Sequence, residues 1–249
     1  MTKQPIVKLI SSTPHPIELM LYVFKIMTGV VTDSFEFFKD ELRQKWTPKF
    51  KREFMNYLAY ESLAGGIQEF IGTAWYIGNV SRAFQQQLTR HRMAGYCIQS
   101  MRIQSKESFA RNGEFHTPSD VKDSKQYGKV MRTIEKMYGN LLANGEPNQV
   151  ARGILPLNIY SPITMNINLR SLRELICTRL CEMAQGEFKE VAIMMGREVL
   201  QKMGSEFGVL FTKPCERLGF CPHAEGCGKV LPKERGLMTA DLKAFINLK

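Results

Sequence analysis

The chain has 249 residues, 44% of them hydrophobic and 23% charged, the profile of a soluble globular protein read as one domain with elaborations. Its formal net charge of +10 points to anionic partners without separating nucleotides from nucleic acid or an acidic surface. No segment approaches the ~20 apolar residues of a bilayer span, the N-terminus MTKQPIVKLI lacks a signal-peptide pattern, and six cysteines are too few for a disulfide scaffold, so the expected compartment is the cytoplasm.

VKLI followed by STPHPIELMLYVFKIMTG predicts a short strand entering a helix, with Ser12 or Thr13 near the cap, Pro16 in the first turn and Gly29 just past the end. Leu19, Tyr22, Val23 and Ile26 would share its buried face. Residues 34–64 are basic, aromatic and helical in pattern, and AGG at 64–66 breaks that pattern. EFIGTAWYIGNVS suits a strand. SRAFQQQL suits a helix capped by Ser81, which delivers Arg90, His91 and Arg92 where regular structure gives way to a loop. Residues 104–127 are polar and aperiodic, a surface loop or mobile lid.

GKVMRTIEKMYGNLLANG repeats Val130, Ile134, Met137 and Leu141 and stops at Gly145, an amphipathic helix with a glycine after its end. A short helix over EPNQVARGIL is closed by Pro156. ITMNINL alternates, Thr164, Asn166 and Asn168 against Met165, Ile167 and Leu169, which predicts a strand with an amide-bearing face. Two helical patterns follow, to Gly204. Beyond them Cys, Gly and Pro concentrate between 214 and 232, so the chain divides at 1–212 and 213–249, the second part a Cys-rich extension.

Arg90, His91 and Arg92 set two permanently charged, fork-shaped donors around an imidazole, which suits phosphate oxygens. The plainer reading is a solvated basic turn. The motif then continues as R-H-R, seven residues and Ser100, with Arg102 two beyond, Gln87 three residues ahead, and NVSRAFQQQLT before it. Downstream, QVARGILPLNIYSPITMNINLRSLREL supplies VAR, LPLN and N-x-R-S-L blocks, Arg179 falls eleven residues after Asn168, and Ala184, Gln185 and Glu187 close the run. In order and spacing, over about residues 60–190, this resembles the flavin-dependent thymidylate synthases.

That resemblance implies an α+β fold, an antiparallel sheet core with packed helices, assembled as a homotetramer with FAD and deoxyuridine monophosphate (dUMP) at subunit interfaces. Arg90, His91 and Arg92 would contact the flavin, with Asn168 on the flavin side. Gln87, Ser100, the backbone near Met101, Arg102 and Arg152 would hold the nucleotide, some from another subunit. Arg179 would address the pyrimidine and stabilise negative charge there, making Arg179 and Ser100 the candidate catalytic residues. NADPH would reduce the flavin and methylenetetrahydrofolate would donate the carbon that becomes the methyl group at C5, with no cysteine nucleophile. Cys97, in the locally apolar Tyr96-Cys97-Ile98, is read as a packing residue.

The chain also departs from its relatives. An upstream G-H-x-[ST]-x-x-E-H block becomes LAGGIQEF, which keeps Glu69 but puts Ala64 and Phe70 at the histidines and Gly66 at the hydroxyl. Ile98 stands where relatives have Glu or Gln, and Ile103, Glu174 and Met183 differ as well. A different pyrimidine nucleotide, such as dCMP or UMP, or altered one-carbon chemistry is therefore an alternative. So is a family member that binds nucleotide without turnover. From another class, a nucleic-acid-binding protein would use Arg52, Arg82, Arg90, Arg92 and Arg102 on phosphates. In the tail, Cys215, Cys221, His223 and Cys227 could ligate zinc, but their spacing is not that of a common finger. They are read as packed thiols, with no metal assigned.

Overall fold

A computed structural model describes residues 3–30, 34–43, 45–60, 65–223 and 226–230 of the chain. Its centre is a four-stranded sheet, β1 (Ile6–Ser12), β2 (Gly72–Gly78), β3 (Ala94–Ile98) and β4 (Ile163–Asn168), in the order β1-β2-β4-β3 with every neighbouring pair antiparallel. Alternation decides which face is buried. Val7, Leu9, Trp75, Ile77, Ile163, Met165 and Ile167 point into the main core, while Lys8, Thr164, Asn166 and Cys97 are exposed on the other face. The amide-bearing strand is thus as expected. Cys97 is not: it is exposed, on β3 at the edge of the sheet.

The helices are α1 (Pro16–Met27), α2 (Phe35–Arg43), α3 (Pro48–Tyr60), α4 (Gly65–Gln68), α5 (Arg82–Leu88), α6 (Ser124–Ala143), α7 (Asn148–Ala151), α8 (Leu169–Arg179), α9 (Gly186–Lys202) and α10 (Pro214–Leu218). Ser12 and Thr13 do not cap α1. That place is taken by His15, in the left-handed region at φ 49°, while Thr13 is engaged with the Gly72 backbone, its Oγ1 accepting from the Gly72 N–H at 2.9 Å. The buried face of α1 is Ile17, Met20 and Leu21 rather than the one expected. Leu19, Tyr22 and Val23 are only partly buried and Ile26 is exposed. Gly65 opens a short helix instead of a break, and Ala64 lies outside the described residues.

α9 packs across β1 and supplies what a strand irregularity leaves unpaired. The register of β1 shifts between Leu9 and Ser11, and Leu9 N–H donates to Glu198 Oε2 at 3.0 Å while Lys202 Nζ donates to the Leu9 carbonyl at 2.6 Å.

A second core gathers Met101, Phe109, Met131, Tyr138, Ala151, Leu155 and Ile159. The 104–127 segment is, up to Asp123, the largely exposed irregular loop expected, but it is anchored to this core: Phe109 is fully buried, the Ala110 and Arg111 N–H groups donate to the buried Glu135 carboxylate, and α6 begins at Ser124. The α6 stripe also turns, burying Met131, Glu135 and Tyr138 and leaving Val130 and Met137 exposed, with Ile134 and Leu141 only partly covered.

Candidate active site

Ser81 sets the geometry. Its Oγ accepts from the Phe84 N–H at 3.0 Å as the cap of α5, and it donates to the buried carboxylate of Glu187, which also accepts from Ser81 N–H at 2.7 Å. A carboxylate at a helix N-terminus is favoured by the unpaired N–H groups there, so Glu187 locks α9 to α5. At the far end of α5 regular structure gives way, as expected, to a short loop that carries Arg90, His91 and Arg92 and leads into β3. Tyr96 ties this turn down, its hydroxyl within 2.9 Å of the Leu88 carbonyl and 2.8 Å of that of His91, and burial pushes its pKa up to about 12 so that it stays a neutral donor.

Two groups of the anticipated residues form at opposite ends of β3. At the entry end stand Arg90, His91 and Arg92, and Gln87 Nε2 donates to Gln185, the residue just before α9. Arg179, at the C-terminus of α8, lies with its guanidinium carbon 4.2 Å from the Phe188 ring centroid, and the His91 ring meets the same phenylalanine edge-on at 6.2 Å. Arg179 Nε is buried without a hydrogen-bond partner. Burial lowers the pKa of Arg179, and that of His91 is lowered first by burial and then by the Arg179 charge, against a smaller opposing pull from Glu174. Asn168 joins this end through the sheet: the Ala94–Ile167 pair puts it beside the turn. Its side-chain oxygen caps α8 by accepting from Ser171 N–H at 2.9 Å, leaving only its amide N–H2 for a ligand.

At the exit end, Ser100, Met101 and Arg152 line a cleft of about 380 Å3 together with Arg82, Gln85 and Ser161. The Met101 side chain is buried in the second core, so only its backbone is available. Neither Arg82 nor Arg152 has an ion-pair or hydrogen-bond partner for its guanidinium among the described residues, and the Ser161 hydroxyl, in a residue 1% exposed, has none either. Ile98 lines the same cleft. Arg102 faces an adjoining cleft of about 470 Å3 that also includes Ser100, and it donates to Gln149 at 3.2 Å.

Sequence reasoning named Arg82 only as a possible phosphate contact and missed Ser161 and Gln85 at the cleft. Arg82 could have been found from its place one helical turn before Gln85 and Gln86 on α5. Ser161, in YSP, carries no such signal. At the divergent upstream block, Glu69 pairs with Arg170 at 2.6 Å, Phe70 is exposed, and a Cβ at Gly66 would meet nothing within 4 Å.

The chain is thus an α+β protein with an antiparallel sheet and guanidiniums that have no ion pair among the described residues at both ends of one strand. The family model described as thymidylate synthase complementing protein matches residues 8–203. The flavin-dependent thymidylate synthase of Nitratidesulfovibrio vulgaris is 28% identical over 242 residues, 91% of this chain and 95% of its own. That of Pyrococcus abyssi is 34% identical over 166 residues, 61% of this chain and 67% of its own. Among solved structures, thymidylate synthase X from Helicobacter pylori with FAD and dUMP aligns at a TM-score of 0.65 and 17% identity, over 83% of this chain and 97% of that one. A UMP/dUMP methylase from Streptomyces cacaoi bound to 5-Br dUMP gives 0.66 at 18% identity, over 84% and 95%. At these identities the two structures establish the fold. The chain belongs to the thymidylate synthase complementing protein family, the flavin-dependent thymidylate synthases.

Proposed function

We propose that this enzyme methylates dUMP at C5 to thymidylate, using FAD, methylenetetrahydrofolate as carbon donor and NADPH as reductant. The observation that carries the reading is the exit cleft, where two uncompensated guanidiniums, Arg82 and Arg152, meet the orphaned Ser161 hydroxyl and Ser100. Uncompensated cations beside a buried unsatisfied hydroxyl fit an oxyanion such as a nucleotide phosphate.

At the entry end, the exposed Arg90 and Arg92 and the free amide N–H2 of Asn168 fit the pyrophosphate and ring edge of a flavin. A flavin held there would supply the hydride that completes the methyl group. Arg179, with a buried unpartnered Nε, offers a pre-oriented donor to a pyrimidine carbonyl as negative charge develops on it. Gln87 and Arg102 complete the nucleotide set, each braced by a glutamine.

Within one chain the two sets lie at opposite ends of β3, whose backbone spans roughly 13 Å at ~3.3 Å per residue. A homotetramer in which the exit end of one copy faces the entry end of another answers this, and the exposed Val130 and Met137 of α6 fit burial in such an assembly. Residues 1–212 form the catalytic unit of this proposal, acting in the cytoplasm, with 213–249 as its extension.

The test is direct. Chain supplied with FAD should turn yellow and oxidise NADPH faster when dUMP is present, and with methylenetetrahydrofolate the dUMP should gain one methyl group by mass. Bound flavin with no response to dUMP would overturn the substrate assignment. Ile98 in the cleft wall, where relatives place a carboxylate or amide, favours trying UMP and dCMP next.

A further inference from the structure

Little fixes the direction of Arg179. Its guanidinium makes no hydrogen bond or ion pair among the described residues, its Nε is buried and unanswered, and its carbon lies over the Phe188 ring. Where it points is therefore set by the backbone it springs from, the last turn of α8, and by the aromatic ring against it. Both depend on one short turn. Residues 180–185 join α8 to α9, Gln185 at their end accepts from Gln87 Nε2, and Phe188 lies in the first turn of α9.

Three residues past Arg179 stands Glu182, and three lysines converge on it. Lys189, on α9, is one. The other two, Lys213 at 3.3 Å and Lys229 at 3.5 Å, come from the extension, beyond residue 203 where the family model ends. Packing is incomplete at this boundary. A cavity of about 260 Å3 lies between Thr178, Cys181 and Glu182 on one side and Cys215, Cys221 and Cys227 on the other. Those thiols are free, and of the three in the extension only Cys221 is buried. The lysine–carboxylate pairs bridge the gap. Pairs this exposed contribute little to global stability, but they can hold a turn in place.

We propose that Glu182 is a positioning residue for Arg179: Lys213 and Lys229 grip it, and the extension thereby fixes the α8–α9 turn and the aim of the arginine. This rests on the reading of Arg179 as the donor to the pyrimidine. A misplacement of about 1 Å at a reacting centre can lower a rate by ~10²-fold. A weak surface contact is thus enough to matter when it acts on a side chain that has no bond of its own.

His91 reports where the arginine is. Burial lowers its pKa most; the charges acting on it are Arg179, which lowers it further, and Glu174, which raises it. In the full chain carrying Glu182→Gln, the His91 midpoint by NMR should rise toward its value in Arg179→Ala, although losing a carboxylate would by itself move it down. The kcat for methyl transfer should fall by ~10-fold, with KM for dUMP, bound flavin and melting temperature little changed. A midpoint that stays or falls overturns the proposal. A raised midpoint at full kcat supports the positioning and instead removes Arg179 from the chemistry, which overturns the reading of the site. If Glu182→Gln does not fold, the extension is tested directly. Lys213→Gln combined with Lys229→Gln should lower kcat likewise and Lys213→Arg should retain it; full kcat in the double variant refutes the proposal.

Discussion

Arg179 is held over Phe188 with an unanswered buried Nε, and His91 sits against the same ring, so the two residues share one electrostatic environment. Replacing Arg179 with alanine should lower the rate of methyl transfer by about 10²–10³-fold, the scale of losing a pre-oriented donor, while flavin stays bound; full activity in that variant would remove Arg179 from the chemistry. His91 should titrate below 6.5 in the folded chain, by NMR, and its midpoint should rise in Arg179→Ala as a repelling charge leaves. The unfolded chain takes the proton more readily, so His91 costs nothing above pH 6.5 and destabilises the fold progressively as pH falls below it, until the folded form is also protonated. The arginines and histidine were legible in the sequence because their spacing is local. Phe188 was not, since nothing in one dimension says that residues 91 and 179 flank it.

At the scale of elements, α5 is fixed by one hydroxyl and one carboxylate. Ser81→Ala should cost ~1 kcal/mol for the lost cap and a further ~1–3 kcal/mol for the bond removed from buried Glu187. In thermal melts that is about 2–4 °C for each kcal/mol, and nucleotide affinity should fall with it because α5 carries Arg82 and Gln85. An unchanged melting temperature would deny the network its role. Helix existence and the alternation of β4 could be read directly, since each has a strong period. β3 could not: AGYCI has five residues, an exposed glycine and an exposed cysteine, and shows no apolar alternation. The α6 stripe misleads for a related reason. Its buried face includes Glu135, whose charge is satisfied by Ala110, Arg111 and the Arg111 side chain, and hydrophobic periodicity cannot register a carboxylate that belongs inside.

Across the whole molecule, Glu182 fastens the tail by holding Lys189, Lys213 and Lys229, and these partners, led by Lys189, keep its pKa near about 2. A depressed carboxylate supports the fold fully above its ordinary pKa of 4.5 and loses that support as pH falls toward about 2. Glu182→Gln should therefore loosen the tail at neutral pH, measured as faster proteolytic cutting after Lys213 or Lys229, and unaltered cutting would show the tail is held by other means. The length of β3 bears on genetics as well as structure. If one copy supplies the flavin end and a different copy the phosphate end, then two dead proteins, Arg90→Ala and Arg152→Ala, should rescue one another once unfolded and refolded together, because some hybrids regain an undamaged pocket built from two chains. Refolded separately, neither should recover.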